Sequence, residues 1–451
     1  MTSEQQQLSE IIEKNHDQPD SEVQSLANQF YGLVPENWGF GKLDDLVENF
    51  IDYRGKTPPK ADEGIHMLSA ANIKDGFILP KRKEKFASKE TFEEWTTRGV
   101  PKKGDVVITT EAPVGEVGII RTEEPFLTAQ RLITMRVAEC LDSRYLKFCL
   151  QYQKTQNQLE SYASGTTVSS FNQTDLRNTV IPLPPISEQK KIGYILDNIE
   201  KKITVNKQVN QLLGELAQSL YKYQFVDFRP YHEFKNSKKG EIPTEFEVDN
   251  LPKLMDIVLG GTPKSDVEDY YGGDILWAKA KDVAQEDDAF ISSTEKSITE
   301  KGLVESSAEL IPEGTTVITA RGTVGETALT PIEMTTNQTC YGLVPKNRED
   351  RYFLYFLVQS HIQRLRSRTH GTVFDTINMN TLREQEIVLP PKNDRFEFNE
   401  KITPIMDLIR ENQNENRSLH ELRDTLLPKL MSGEVRVNDI SLDDLEVDSE
   451  V

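Results

Sequence analysis

Apolar residues recur every three or four positions along two stretches of about forty residues. The first carries Ile192, Leu196, Ile199, Ile203, Leu213 and Leu220; the second carries Phe398, Ile402, Ile405, Ile409, Leu419 and Leu426. A seven-residue recurrence of this kind predicts two long helices paired as a coiled coil. Asparagine interrupts both stripes at the same place, Asn206 and Asn210 in the first and Asn412 and Asn416 in the second. A polar residue on an apolar seam costs stability but fixes register and orientation. Asn206 lies near the middle of its helix, so an antiparallel pair about a pseudo-twofold axis would bring the asparagines together. Ser187 is the expected N-cap of the first helix, with Glu188 in its first turn, and Asn393 and Asp394 take those places in the second.

The rest of the chain alternates short β-branched runs with Gly- and Pro-rich loops. Asp105–Thr110 and Thr315–Thr319 read as strands. Tyr145–Leu159 and Tyr352–Arg366 read as amphipathic helices. Ile181–Pro185 and Ile387–Pro391 are extended straps where proline marks a domain edge. These features come in pairs because the chain repeats itself. Residues 65–73 match 275–283, and 104–109 match 314–319, at an offset of 210; Gln130 and Gln338 stand 208 apart; from Gly165 and Gly371 to the ends of the helices the offset is 206. A constant order with small shifts at loops indicates a duplicated unit of about 200 residues.

The expected organisation is an acidic, disordered segment over 1–29, an α/β domain over 30–186 and a long helix over 187–228. A second domain over 229–391, a second helix over 392–432 and an acidic tail over 433–451 complete it. The fold class is α+β: two α/β domains joined by two long antiparallel helices.

Composition bounds what such a protein does. The 451 residues carry a net charge of −20. Phosphate contacts need Lys and Arg, so this acidity taken alone speaks against nucleic acid. The tails hold much of it: residues 1–28 have a net of −5 and residues 439–451 a net of −6. Residues 37–184 balance at 20 basic and 20 acidic side chains, whereas 242–390 carry 14 against 24. No run approaches the ~20 apolar residues of a membrane span, and no signal peptide opens the chain. Three dispersed cysteines and six scattered histidines indicate reduced thiols in a cytoplasmic protein and no metal site. A phosphate-binding Gly-x-x-x-x-Gly-Lys-Ser/Thr loop, a glycine-rich cofactor loop and an Asn-Pro-Pro-Tyr-type segment are all missing, so no catalytic residue is assigned.

Two segments resemble a known family. Gly260-Gly261-Thr262-Pro263-Lys264 followed by Tyr271-Gly272-Gly273-Asp274-Ile275-Leu276-Trp277 looks like the opening of a target-recognition domain. Arg54-Gly55-Lys56-Thr57-Pro58-Pro59-Lys60 is a looser form in the first repeat. Ile181-Pro182-Leu183-Pro184-Pro185 with Ser187-Glu188-Gln189-Lys190-Lys191-Ile192 is similar to the start of a spacer helix. The second copy departs there, reading Pro390-Pro391-Lys392-Asn393-Asp394-Arg395 without a Glu-Gln pair. From about residue 30 to 436 the chain resembles the specificity subunit of type I restriction–modification systems. That resemblance implies a non-catalytic subunit whose two domains each read half of a bipartite, asymmetric site in double-stranded DNA. The helices set the gap between the halves and dock two methyltransferase subunits and the restriction/translocase subunits. S-adenosylmethionine, ATP and Mg²⁺ would then belong to those partners, which methylate adenine and cut DNA. The competing reading is a duplicated coiled-coil scaffold that binds only protein, which the acidity favours; a self-sufficient methyltransferase lacks its motifs.

Base readout needs forked donors and acceptors, and positioning needs cations and small polar groups near phosphates. Four repeated loops supply them. Arg54, Lys56, Thr57 and Lys60 stand against Thr262 and Lys264. Ser69 and Asn72 stand against Lys279 and Lys281. Thr109, Thr110 and Glu111 stand against Thr319, Ala320 and Arg321. Thr166, Thr167, Ser169 and Asn172 stand against Thr372 and Asn378. Gln130 with Arg131, and Asn337 with Gln338, add a further polar pair.

Overall fold

The computed structural model describes residues 21–53, 57–129, 131–163, 170–286, 288–368 and 377–437, with the backbone alone for 363–368. Two compact units emerge, and they do not follow the linear order of the chain. One comprises residues 1–201 with 420–451, the other residues 202–419. The first unit is therefore closed by the C-terminal end of the chain.

Each unit contains the same three sheets. In the first, a four-stranded antiparallel sheet runs Val47–Asp52, Leu132–Val137, Val106–Thr110, Val114–Ile119. In the second, Met255–Leu259, Cys340–Pro345, Thr316–Thr319 and Thr327–Leu329 repeat that order. A three-stranded sheet follows: Phe86–Ala87, Ile65–Leu68, Phe126–Thr128 in one, and Ser297–Ile298, Tyr271–Ala278, Thr335–Thr336 in the other. In both, the central strand pairs antiparallel on one side and parallel on the other. Finally a ribbon joins the start of the unit to its strap: Gly39–Lys42 with Val180–Leu183, and Glu247–Asn250 with Glu386–Leu389. Pro182 is tolerated in its strand because a two-stranded ribbon leaves one edge unpaired.

The long helices span Ile186–Phe225 and Lys392–Ser432. The second keeps its expected bounds and the first starts one residue early, but Ser187 and Asn393 lie inside the first turn instead of at the N-cap; Pro185 O accepts the N–H groups of Glu188 and Gln189 at 2.8 and 3.0 Å. On the first helix the buried stripe runs Ile192, Leu196, Ile199, Ile203, Asn206, Asn210, Ala217, Tyr221, Phe225. It advances at the ~3.6-residue period of a straight helix and drifts out of strict seven-residue columns. Hence Leu220 is exposed and Leu213 only half-buried, and on the second helix Met406 and Gln413 are buried where Ile405 and Asn412 were expected.

Within the second unit the helices cross at the asparagines. Asn206 Nδ2 donates to Asn416 Oδ1 at 3.0 Å, and Asn412 Nδ2 to Asn210 Oδ1 at 2.8 Å. As the number rises on one helix it falls on the other, so the pairing is antiparallel. Within the first unit, Ile192 and Leu196 share a core with Leu426, Leu427, Leu430 and Met431.

Two further expectations change. Ser21–Phe30, read as part of an acidic tail, is a helix with Val23 and Ala27 buried against the first ribbon; Lys42 pairs with Glu22. The helix expected over 145–159 breaks at Tyr152 into Ser143–Gln151 and Gln153–Tyr162, whereas Arg351–Arg368 is unbroken. Residues 1–20 and 438–451, which hold most of the acidic tails, lie outside the described residues.

Candidate nucleic-acid interface

Three backbone hydrogen bonds gather the loops of each unit at one edge of its sheets. In the first, Ala129 N–H donates to Leu68 O (2.8 Å), Thr110 N–H to Arg131 O (2.9 Å) and Phe171 N–H to Thr110 O (3.3 Å). In the second, Asn337 N–H donates to Ala278 O (2.8 Å), Ala320 N–H to Thr339 O (2.8 Å) and Ile377 N–H to Ala320 O (3.0 Å). Each bond in one unit joins the positions that match the corresponding bond in the other. The Gly-Gly-Thr-Pro loop is tied to the same edge. Gly261 N–H donates to Thr336 O at 2.9 Å, and Trp277 Nε1 donates to Gly261 O at 2.9 Å. A Cβ on Gly260 would lie 2.0 Å from Asn337 O, so only glycine allows this approach.

The edge sorts the candidate residues into two groups. Several belong to the scaffold. Asn72 is fully buried; its Oδ1 accepts the Ser69 N–H at 2.9 Å and its Nδ2 donates to the carbonyls of Leu79 and Pro80. Its counterpart is Asp282, which accepts the Lys279 N–H at 2.8 Å, and not Lys281, which stands opposite Ala71. Thr109 and Thr319 are also fully buried, each Oγ1 accepting the N–H of Glu116 or Glu326 at 2.9 Å. Thr110 is buried beside Thr109. Asn72, Thr109, Thr110 and Thr319 are thus enclosed by the protein, and Asn72, Thr109 and Thr319 close turns. Asn172 and Asn378 are exposed, but their carboxamide oxygens cap the short helices Gln173–Arg177 and Met379–Arg383.

The second group faces outward. In the second unit Lys264, Lys281 and Arg321 are exposed, and Lys279 lies over the Trp277 ring, 3.5 Å from Glu295. Thr262 hydrogen-bonds Gln338. In the first unit Thr57 and Lys60 are exposed, and Arg131 reaches Glu111 at 3.1 Å. Arg54, Lys56, Gln130, Thr166, Thr167, Ser169 and Thr372 lie outside the described residues.

Behind each edge a buried contact docks the long helix, and here the units differ. In the first unit Lys147 and Glu200 form a fully buried ion pair. Burial lowers the Lys147 ammonium and raises the Glu200 carboxyl from their ordinary ranges. Asp197 beside it pairs with Arg121 (3.2 Å) and Lys201 (3.2 Å), and these cations carry its carboxyl below the ordinary range against the opposing pull of burial. In the second unit Met406 occupies the position matching Glu200. Burial also pushes the Cys149 and Cys340 thiols up to about 12, so neither is a thiolate nucleophile near neutral pH.

At the helix starts, chemistry differs and geometry does not. Gln189 Nε2 donates to Cys140 O and Pro184 O, and its Oε1 accepts the Asp142 N–H at 3.0 Å. Arg395, at the matching position, donates to Pro390 O at 2.6 Å and to Asp350 at 2.8 and 3.4 Å. Arg395 thus takes over the strap contact that Gln189 makes.

Sequence and structure comparisons agree with this duplicated architecture. A family model for the type I restriction modification DNA specificity domain matches twice, at residues 35–215 and 243–423. The type I restriction enzyme MjaIX specificity subunit of Methanocaldococcus jannaschii is 24% identical over 422 residues, covering 91% of this chain and 96% of that one. The HindI specificity subunit of Haemophilus influenzae is 26% identical over 317 residues, covering 56% and 68%. The S subunit of a type I restriction–modification system from M. genitalium shares the fold, with a TM-score of 0.54 at 16% identity over 87% of this chain and 96% of that one. No helix among the described residues is long and apolar enough to cross a membrane. Two matched domains, one repeated loop scaffold and relatives aligned along nearly the whole length lead to one assignment: the chain belongs to the type I restriction–modification DNA specificity family.

Proposed function

We propose that each unit reads one half of a bipartite site in double-stranded DNA. The long helices set the gap and dock two methyltransferase subunits, with restriction/translocase subunits joining them in the cytoplasm. The chain itself supplies recognition. S-adenosylmethionine, ATP and Mg²⁺ serve the partner subunits, which methylate adenine and cleave.

The observation that carries this reading is the pairing of identical backbone bonds with different outward side chains. The same three bonds hold the loops in both units, while Glu111 in one stands where the exposed Arg321 stands in the other, and the exposed Arg131 stands where Thr339 is tied to Asn337. A common frame with variable projecting groups is what reading two different half-sites requires.

Exchanging residues 37–184 for the equivalent domain of a relative tests it. In cells that also carry the methyltransferase partner, the methylated adenine motif should change in one half only. A change in both halves, or in neither, contradicts separate readout.

A further inference from the structure

The first unit holds Arg131 and Glu111 together at the loop edge in a way the second unit does not repeat. Arg131 Nη2 lies 3.1 Å from Glu111 Oε1, with the two side chains 49% and 32% exposed. This single contact leaves the other guanidinium N–H groups and the second carboxylate oxygen uncommitted to the pair. Arg131 adopts φ +71, the left-handed region, while its carbonyl accepts the Thr110 N–H at 2.9 Å. Glycine would hold that turn without strain, so what the arginine adds is its side chain. Residues kept in such conformations concentrate at ligand sites.

We propose that Glu111 and Arg131 together read one G·C base pair in the half-site of the first unit, an assignment that rests on the recognition function above. In the major groove, guanine presents two acceptors, N7 and O6, followed by the cytosine N4 donor. The complement is two donors followed by an acceptor. A guanidinium beside a carboxylate offers that order. An A·T pair presents acceptor, donor, acceptor and the thymine methyl, which the couple does not match. The ion pair also pre-orients the arginine, which reduces the ordering cost of binding. In the second unit the positions are Arg321 and Thr339, and Thr339 Oγ1 bonds Asn337 Oδ1 at 2.6 Å. That unit lacks the couple, so its half-site is read by another arrangement.

The test is adenine-methylation sequencing in cells carrying the full chain and its methyltransferase partner, with thermal unfolding of each purified variant. Arg131→Gly removes the side chain and suits φ +71, so the melting temperature should hold. Discrimination should relax about ten- to hundredfold at one G·C position, in the half that changes on domain exchange, with the other half and the gap unaltered. Glu111→Gln should relax the same position. The proposal is overturned if the wild-type half-site has no G·C pair or if R131G leaves the motif unchanged. It is equally overturned if methylation falls uniformly at all sites, the mark of a phosphate contact, or if R131G unfolds the unit, the mark of a loop staple. A wild-type complex that methylates no bipartite motif would instead remove the recognition function itself.

Discussion

Asn72 and Asp282 stand at matching places in the two units, as do Glu111 and Arg321. The first two are different residues that do the same thing. Each accepts, through a carboxamide or carboxylate oxygen, the backbone N–H three positions earlier and closes a turn. The second two are also different, but both project from the loop edge, and nothing in the frame requires either. Burial separates the cases. Where the side chain is enclosed, the backbone dictates the acceptor, and substitution stays within the residues that supply one. Where it projects, the duplicated frame leaves the choice to the ligand.

The helix starts give the sharpest way to break this comparison. If Gln189 and Arg395 play equivalent parts, removing either should loosen its own unit, and by unequal amounts. Arg395→Ala leaves the Asp350 carboxylate buried and unpaired and should cost about 3–5 kcal/mol. Gln189→Ala loses neutral hydrogen bonds only, at about 1–3 kcal/mol. Arg395→Gln should lie nearer the wild type than Arg395→Ala does. Denaturant unfolding measures all three, and a reversed order would end the equivalence.

Thr109 and Thr319 sharpen it. Both are enclosed and both accept the same turn N–H, so Thr109→Val and Thr319→Val should each cost about 1–3 kcal/mol, with similar losses in the two units. Neither should alter the methylated motif of cells that remain active. A changed motif would mean that these side chains touch DNA after all.

The smallest effect is expected at the Lys147–Glu200 pair. Met406 shows that the matching place accepts an apolar residue. Burial holds Glu200 above and Lys147 below their ordinary ranges, so the protein recovers less from the pairing than desolvation costs. Lys147→Leu with Glu200→Met should be neutral or stabilising, while Glu200→Met alone, which strands the ammonium, should destabilise. The sign with pH follows from the raised carboxyl. Between the ordinary Glu pKa and the higher folded value, the folded chain binds more protons than the unfolded one, so wild-type stability falls as pH rises through that window. In pH-dependent unfolding the double variant should lose the share of that slope due to Glu200, leaving a shallower one from Glu116 and Glu286, whose carboxyls burial also raises.

Much of this was legible in the residues. The apolar stripes marked the helices, and the interrupting asparagines marked the crossing. Gly260-Gly261-Thr262-Pro263 marked a loop that tolerates no side chain at its start. What escaped was turn chemistry. Asn72, Thr109 and Thr319 carry the groups a DNA reader uses, and sequence does not reveal whether a hydroxyl faces water or a backbone N–H. At the offset of 210 Asn72 matches Asp282, and both residue types cap turns. The Ser21–Phe30 helix was hidden by its acidic surroundings, although Val23, Leu26, Ala27 and Phe30 have helical spacing. Arg395 was hidden because its chemistry differs from that of Gln189 while its contacts do not.

The last turn of the second long helix and the segment after it complete the first unit. Arg436 clasps Glu188 at 2.8 Å and Asn37 at 3.0 Å, Trp38 Nε1 donates to the same carboxylate at 2.9 Å, and Leu430 and Met431 enter the core beside Ile192. The second unit is one continuous stretch that is finished by residue 419. On the ribosome, then, the domain synthesised second has all its parts first, and the domain synthesised first waits for residues 420–437 to emerge. A chain cut between residues 419 and 430 keeps every part of the second unit and leaves the first without Leu430, Met431 and Arg436.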